Sequence, residues 1–198
     1  MEAKAFNKWT VEGIVIEDPG VRPYINLEPR IVPKTGARYA RNKFHKSNVF
    51  IVERFMNKVS NANHKGKKHL ISAKSSTGKS HAHYNIMIEV LTMIESRTKE
   101  NPIKVLAKAI ENAAPREEVI SIEYGGARYP KAVECAPQRR VDIAIRLMTQ
   151  GARQKAFNNN KNITDTLCDE ILAAYRNSQD STAISRKLEL ERQADSSR

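Results

Sequence analysis

Only one stretch of the chain alternates. In "EVISIEYGGARYPKAVE", residues 118–134, Ile120, Ile122 and Tyr124 interleave with Val119, Ser121 and Glu123, and Gly125-Gly126 supplies a turn. Period-two alternation broken by paired glycines spells a β-hairpin. Pro130 has no N–H to offer a second neighbour, so its strand must be an edge or irregular. Val11, Ile14 and Ile16 have the residues for one further short strand at most. A lone hairpin is marginal in water and needs a surface to lie on. The ribbon therefore has to project from a body built of something else.

That body reads as helical. In "SNVFIVERFMNKVS" the set Val49, Val52, Phe55, Met56 and Val59 follows a helical period, with Ser47 or Asn48 placed to cap it. "HYNIMIEVLTMIESRT" is apolar on most faces and reads as a central, buried helix. "NPIKVLAKAIENAA" opens with Asn101 as cap and Pro102 at the first helical position. Its stripe is Ile103, Leu106, Ala107, Ile110 and Ala114, and Pro115 ends it. In "PQRRVDIAIRLMTQGARQKAF", Val141, Ala144, Ile145, Met148 and Ala152 share one face, and Arg139, Arg146 and Arg153 share the opposite one. "NITDTLCDEILAAYRN" has Asn162 as cap and turns Ile163, Leu167, Ile171, Leu172 and Tyr175 inward. "STAISRKLELERQADSSR" is helical by propensity, docks through Ile184 and Leu188, and frays at its end. Residues 17–37 carry four prolines and two glycines, which no helical period survives. The expected fold is mainly α: a bundle of about six helices, one protruding two-stranded β-hairpin and an extended N-terminal arm. The expected division is a basic arm over 1–46 and a helical domain over 47–198, with the hairpin at about 118–134.

Charge points to function. The chain carries a net +12, and from Arg30 to Lys79 it has 13 Lys and Arg against one acid, Glu53. That segment accounts for the whole excess, and the remainder balances. A neutral body with one concentrated basic segment is the footprint of a polyanion binder. Within it, "GARYARNKFHK" sets Tyr39 and Phe44 among cations. Aromatics so placed either stack on RNA bases or anchor the arm to the core.

The enzyme-like signals lack context. "AKSSTGKS", Ala73 to Ser80, matches the relaxed form of a phosphate-binding loop. Only "HLIS" precedes it, too short and too polar for the buried parallel strand that such a loop needs. His64, His69, His81 and His83 cluster without a thiolate or carboxylate to complete a metal site. Cys135 and Cys168 are too few for a disulfide framework and read as core thiols. The expectation is no catalytic residue, no metal, no cofactor and no small-molecule substrate. No apolar run approaches the length of a membrane span, and no apolar signal-peptide core opens the chain, so a cytoplasmic protein without a membrane partner is expected.

From the hairpin onward the chain resembles a known family. "ENAAPREEV" (111–119), "YGGARYPKAVE" (124–134), "APQRRVDIAIR" (136–146) and "LERQADSSR" (190–198) resemble the universal small-subunit ribosomal protein seven, called ribosomal protein five in the eukaryotic series. "GARYARNKFHKSNVFIVERFMNK" (36–58) and "TKENPIKVL" (98–106) do so too, and the archaeal and eukaryotic branch fits best. The resemblance implies a structural protein of the small ribosomal subunit that binds the 3′ major, or head, domain of its rRNA. It implies a part in starting head assembly, neighbouring small-subunit ribosomal proteins, and a place near exit-site tRNA and the path of departing mRNA. By the same resemblance, rRNA contacts are expected from Arg38, Arg41, Lys43, Lys46, Arg54 and Lys58, and from Lys65, Lys67 and Lys68. Others are expected from Arg116, from Arg128, Tyr129 and Lys131, and from Arg139, Arg140, Arg146 and Arg153. The stretch from His69 to Lys79 looks like an insertion where the family has a short turn. The alternative reading is a free-standing nucleic-acid-binding architectural or regulatory protein, which charge alone permits. It would need a recognition helix aimed at base edges and a dimer seam.

Overall fold

A computed structural model describes residues 4–36, 40–65, 68–69 and 78–198, with only the backbone given for 64–65 and 68–69. Among the described residues six α-helices form the body: α1 Ile51–Val59, α2 Ser80–Thr98, α3 Pro102–Ala113, α4 Pro137–Ala156, α5 Ile163–Tyr175 and α6 Thr182–Asp195. Two residues on each side, β1 His64–Lys65 and β2 Lys68–His69, pair antiparallel between α1 and α2. The ribbon joins α3 to α4 as β3 Glu117–Tyr124 and β4 Ala127–Glu134, with Tyr124 facing Ala127 and Glu117 facing Glu134. Gly125 and Gly126 both take positive φ, 59° and 81°, which is why the two-residue turn needs glycine at both places. Pro130 faces Ser121 on a strand with no other neighbour.

The helix starts and stripes follow from the sequence where the signal is local. The Asn101 side chain accepts the Ile103 N–H and Pro102 opens α3, and its whole expected stripe is buried. Val141, Ala144, Ile145, Met148 and Ala152 of α4 are likewise buried. Elsewhere the structure corrects the expectation. The middle of the bundle is α5, which packs on α2, α3, α4 and α6. The expected central helix, α2, buries only Met87, Val90, Leu91, Ile94 and His83 and leaves its opposite edge exposed.

Neither Ser47 nor Asn48 caps α1. They belong to a 3₁₀ turn, His45–Asn48, and the Ile51 N–H donates instead to the Asn26 carbonyl, 2.9 Å away. Asn162 stands at the N-cap of α5, but its side chain makes no capping bond. Val11, Ile14 and Ile16 form no strand. They sit in irregular chain, with Val11 and Ile16 buried in the common core. The N-terminal segment is in fact a strap. Ala5, Phe6, Trp9, Val21 and Ile25 join the core, the Trp9 indole donates to Glu95, and Phe6 packs edge-on to Trp9 and against Tyr84.

The tail does not fray. Ile184 is buried as expected, Leu188 is exposed, and the last turn is tied to the ribbon. Arg198 grips Glu117 at 2.7 and 2.9 Å, and the Ala132 N–H donates to the Ser197 carbonyl. From the other side Arg139 holds Glu118 at 2.7 and 2.8 Å. The hairpin therefore stands on a base clamped from both faces, and everything from Ile120 to Lys131 is exposed.

Candidate nucleic-acid interface

The expected cations fall into groups that the fold separates. The most concentrated group lies where the 45–48 turn and α1 meet α4. Asp142, the one acid on α4, stands at its centre. Lys46 Nζ reaches its Oδ2 at 2.5 Å and Arg54 reaches its Oδ1 at 2.9 Å. Burial pushes the Asp142 carboxyl up, but the bonds from Lys46 and Arg54 outweigh that and hold it below the ordinary carboxylate range. Lys58 lies beside this cluster. Burial, the charge of Arg146 and then those of Lys46 and Arg54 hold its ammonium below the usual lysine range, against the pull of Asp142. The Asp142 carboxylate thus pairs with Lys46 and Arg54 and draws on Lys58, which Arg146 crowds from beside it. Crowded like charges with too few counterions are what an anionic ligand relieves.

Arg54 lies deeper than its place in a basic segment suggests. It is 7% exposed, and its guanidinium is spent inside on the Tyr24 and Gln138 carbonyls as well as on Asp142. Arg140 is buried too, donating to the Pro115 carbonyl at 3.0 Å and to Asp18 at 2.7 Å. Burial raises the Asp18 carboxyl, but Arg140 and the Gly20 N–H bring it below its ordinary value. Both arginines tie the N-terminal strap to α4. They are braces behind the surface and do not face solvent. Glu53, the one acid of the basic segment, is also internal, 2% exposed, accepting from the Thr35 N–H and hydroxyl at 2.7 Å. The segment's one acid is thus withdrawn from the surface together with one of its bases, Arg54.

Arg139, Arg146 and Arg153 do share one edge of α4, yet they meet three surroundings. Arg139 pairs with Glu118 at the ribbon's base. Arg146 is exposed beside Lys58. Arg153 is half-buried and donates to Asn63 at 2.7 Å, beside a cavity of about 290 Å³ that Lys79 and His83 also line. Arg41 and Lys43 are exposed on the approach to the turn. Arg116 is exposed near the tail, where Lys187 and Arg198 line the same hollow. Arg128, Tyr129 and Lys131 are exposed on β4, with Arg128 3.6 Å from Glu123. Arg38, Tyr39 and Lys67 lie outside the described residues, as does most of the "AKSSTGKS" stretch, and of Lys65 and Lys68 only the backbone is known. The described part of that stretch, Gly78 to Ser80, opens α2, and the described strands before it are the antiparallel β1 and β2. No group of three metal-ligating side chains occurs among the described residues, and no described helix is long and apolar enough to cross a membrane. Cys135 and Cys168 are both buried, and burial pushes the Cys135 thiol up to about 11.

Asp142 was not singled out in the sequence. The available signal was a lone acid four residues before Arg146 on an otherwise basic helix face.

Fold and charge define the class first: a basic, mainly helical protein with a projecting β-ribbon and a cationic seam across two helices. The chain belongs to the ribosomal protein S7p/S5e family, whose model matches residues 21–198. It is 50% identical to the small ribosomal subunit protein uS7 of Nanoarchaeum equitans over 198 residues, all of both chains. It is 45% identical to the protein of that name from Methanothrix thermoacetophila over 195 residues, 98% of this chain and all of the relative. The Archaeoglobus fulgidus protein of the same name is also 45% identical, over 197 residues, all of this chain and 96% of the relative.

Proposed function

We propose that the chain is a structural component of the small ribosomal subunit in the cytoplasm, and not an enzyme. It binds the 3′ major domain of small-subunit rRNA, helps nucleate assembly of the subunit head, and touches neighbouring small-subunit proteins. It lies near the mRNA exit path and exit-site tRNA. The family and the names of its relatives support the ribosomal part of this reading. The crowding of Lys46 and Lys58 about the single carboxylate of Asp142, with Arg146 beside Lys58, carries the RNA part. Such a seam lowers its own repulsion when phosphates enter it, and a run of phosphates is what a folded RNA presents.

In this reading residues 1–46 are a basic arm and 47–198 the RNA-binding domain. Lys46, Lys58 and Arg146 contact phosphate, helped by Arg38, Arg41 and Lys43 of the arm and by Lys65, Lys67 and Lys68 after α1. Arg116, Arg139 and Arg153 extend the contact along the body, and Arg128, Tyr129 and Lys131 add the ribbon. Arg54 and Arg140 position the seam from behind. The test is sedimentation of the tagged chain from a cell lysate. It should travel with small subunits at moderate salt and leave them as salt rises. A chain that stays at the top of the gradient at every salt concentration contradicts the proposal.

A further inference from the structure

Phe44 is the least expected side chain near the seam. It is 64% exposed, and its backbone is left-handed, at φ 57° and ψ 17°. A bulky residue in that region is an outlier, because its Cβ crowds the backbone there. Glycine or asparagine would hold the same turn with less strain. Burial does not offset the strain, so the ring does not anchor the arm to the core. Six residues on, Phe50 does that work at 2% exposed.

The backbone behind Phe44 is well braced. Its carbonyl accepts the Ser47 N–H at 2.9 Å, Ser47 is buried, and the Asn26 side chain donates to the Asn48 carbonyl at 2.7 Å. Lys46, two residues on, is fixed to Asp142 inside the seam. Arg41 and Lys43 stand exposed just before it. The ring is thus held out from a rigid turn, among cations, at the edge of a surface that favours phosphate.

We propose that Phe44 stacks on an unpaired nucleobase of the RNA whose phosphates the seam holds. The inference rests on the RNA reading above and adds to it a contact of different chemistry. A ring face suits any base, and stacking needs no counterion release, so this contact should be insensitive to salt. Strain in the free chain is the cost of presenting the ring before the base arrives.

The two properties separate in one set of variants: Phe44→Gly, Phe44→Leu and Phe44→Trp, with Lys58→Gln/Arg146→Gln as the phosphate control. The probe is a transcript of the 3′ major domain of an archaeal small-subunit rRNA, in filter binding from 50 to 300 mM KCl, with a melting curve for each protein. Phe44→Gly should melt at or above the native temperature yet bind roughly 5- to 150-fold more weakly. Phe44→Leu should bind as weakly as Phe44→Gly, and Phe44→Trp should bind within about threefold of the native chain. The salt slope should not change in any of the three. Native affinity in Phe44→Gly overturns the inference. So does a fall in melting temperature and affinity together in Phe44→Gly with native affinity in Phe44→Leu, since the ring would then be an apolar anchor. A native chain that binds without regard to Lys58 and Arg146 overturns the seam reading and this inference with it, and the phosphate control distinguishes that failure from the first.

Discussion

The seam and the ribbon are two surfaces of opposite construction. The seam belongs to a segment with 13 bases and one acid, and that acid is buried. The ribbon, residues 117–134, has four acids against two bases, a net of −2. Its large exposed apolar and aromatic side chains are Ile120, Ile122, Tyr124 and Tyr129, which alternation places on one face. The seam is braced from within by contacts that span 30 to 96 residues of sequence, from Arg54 to Tyr24 and from Lys46 to Asp142. Among the described residues, Arg139, Ser197 and Arg198 hold the ribbon at its base. One surface concentrates charge, and the other concentrates exposed apolar side chains. The lesson is that net charge reports on one surface of the molecule and is silent about the other.

The largest difference should be in stability. Arg54 is a buried cation with three acceptors, and removing a buried partner costs about 3–5 kcal/mol in general. Arg54→Ala should therefore lower the unfolding free energy by about 3 kcal/mol in a urea titration. Tyr124→Ser at the exposed ribbon tip should change it by less than about 0.5 kcal/mol. Equal costs would break the claim that the seam is internally braced.

Acid should expose the same asymmetry. Asp18 and Asp142 have carboxyls held below their ordinary values, so the unfolded chain binds their protons more readily. Their contribution is complete above the unfolded value of about 4 and is lost as pH falls through the lower folded values. Stability should hold from pH 7 to about 5 and decline below about 4. In Asp18→Asn/Asp142→Asn it should be lower at pH 7 and decline less, as read by urea titration at each pH. The native decline persisting in that double variant would place the acid-sensitive contacts elsewhere.

Those carboxylates also show what was legible in the sequence and what was not. The stripe of α3 and the glycine turn of the ribbon are local patterns, so spacing alone fixes them. The cap of α1 was misread because its role falls to the backbone of Asn26, 25 residues upstream, which no local pattern reveals. The burial of Arg54 and Arg140 was hidden for the same reason. Arg140 meets Asp18 across 122 residues, and a basic residue on a helix looks the same from the sequence whether it faces water or a strap. Trp9 and Phe6 lacked any period because the strap that carries them is irregular. For the seam, composition located the segment, but only the fold showed that its lone acid is internal and that Asp142 organises the surface.

A smaller effect should have opposite signs in two assays. The Lys58 ammonium is disfavoured in the free chain by burial and by Arg146. Lys58→Met should leave stability unchanged or raise it by up to about 0.5 kcal/mol. RNA affinity should fall about tenfold at low salt, the size of one charge-assisted contact. A melting temperature that drops with affinity would show that Lys58 is a structural residue. The smallest effect should be at the ribbon's base. Arg198→Ala removes an exposed pair that solvent and salt screen. Global stability should barely move, while the Ala132 amide, which donates to Ser197, should exchange faster with solvent. Unchanged exchange would show that the tail does not clamp the ribbon.

The central claim is that the salt-dependent part of RNA binding lies chiefly in the seam and not in the ribbon's apolar face, and the salt slope of RNA affinity measures it. Two triple variants suffice: Lys46→Gln/Lys58→Gln/Arg146→Gln in the seam, and Ile122→Ser/Tyr124→Ser/Tyr129→Ser in the ribbon. Each phosphate contact contributes about 0.7–0.9 to the slope of log affinity against log salt. The seam variant should flatten the native slope by about 2–3, and the ribbon variant should lose affinity equally at every salt concentration. A native slope in the seam variant, or a flattened one in the ribbon variant, would contradict the account.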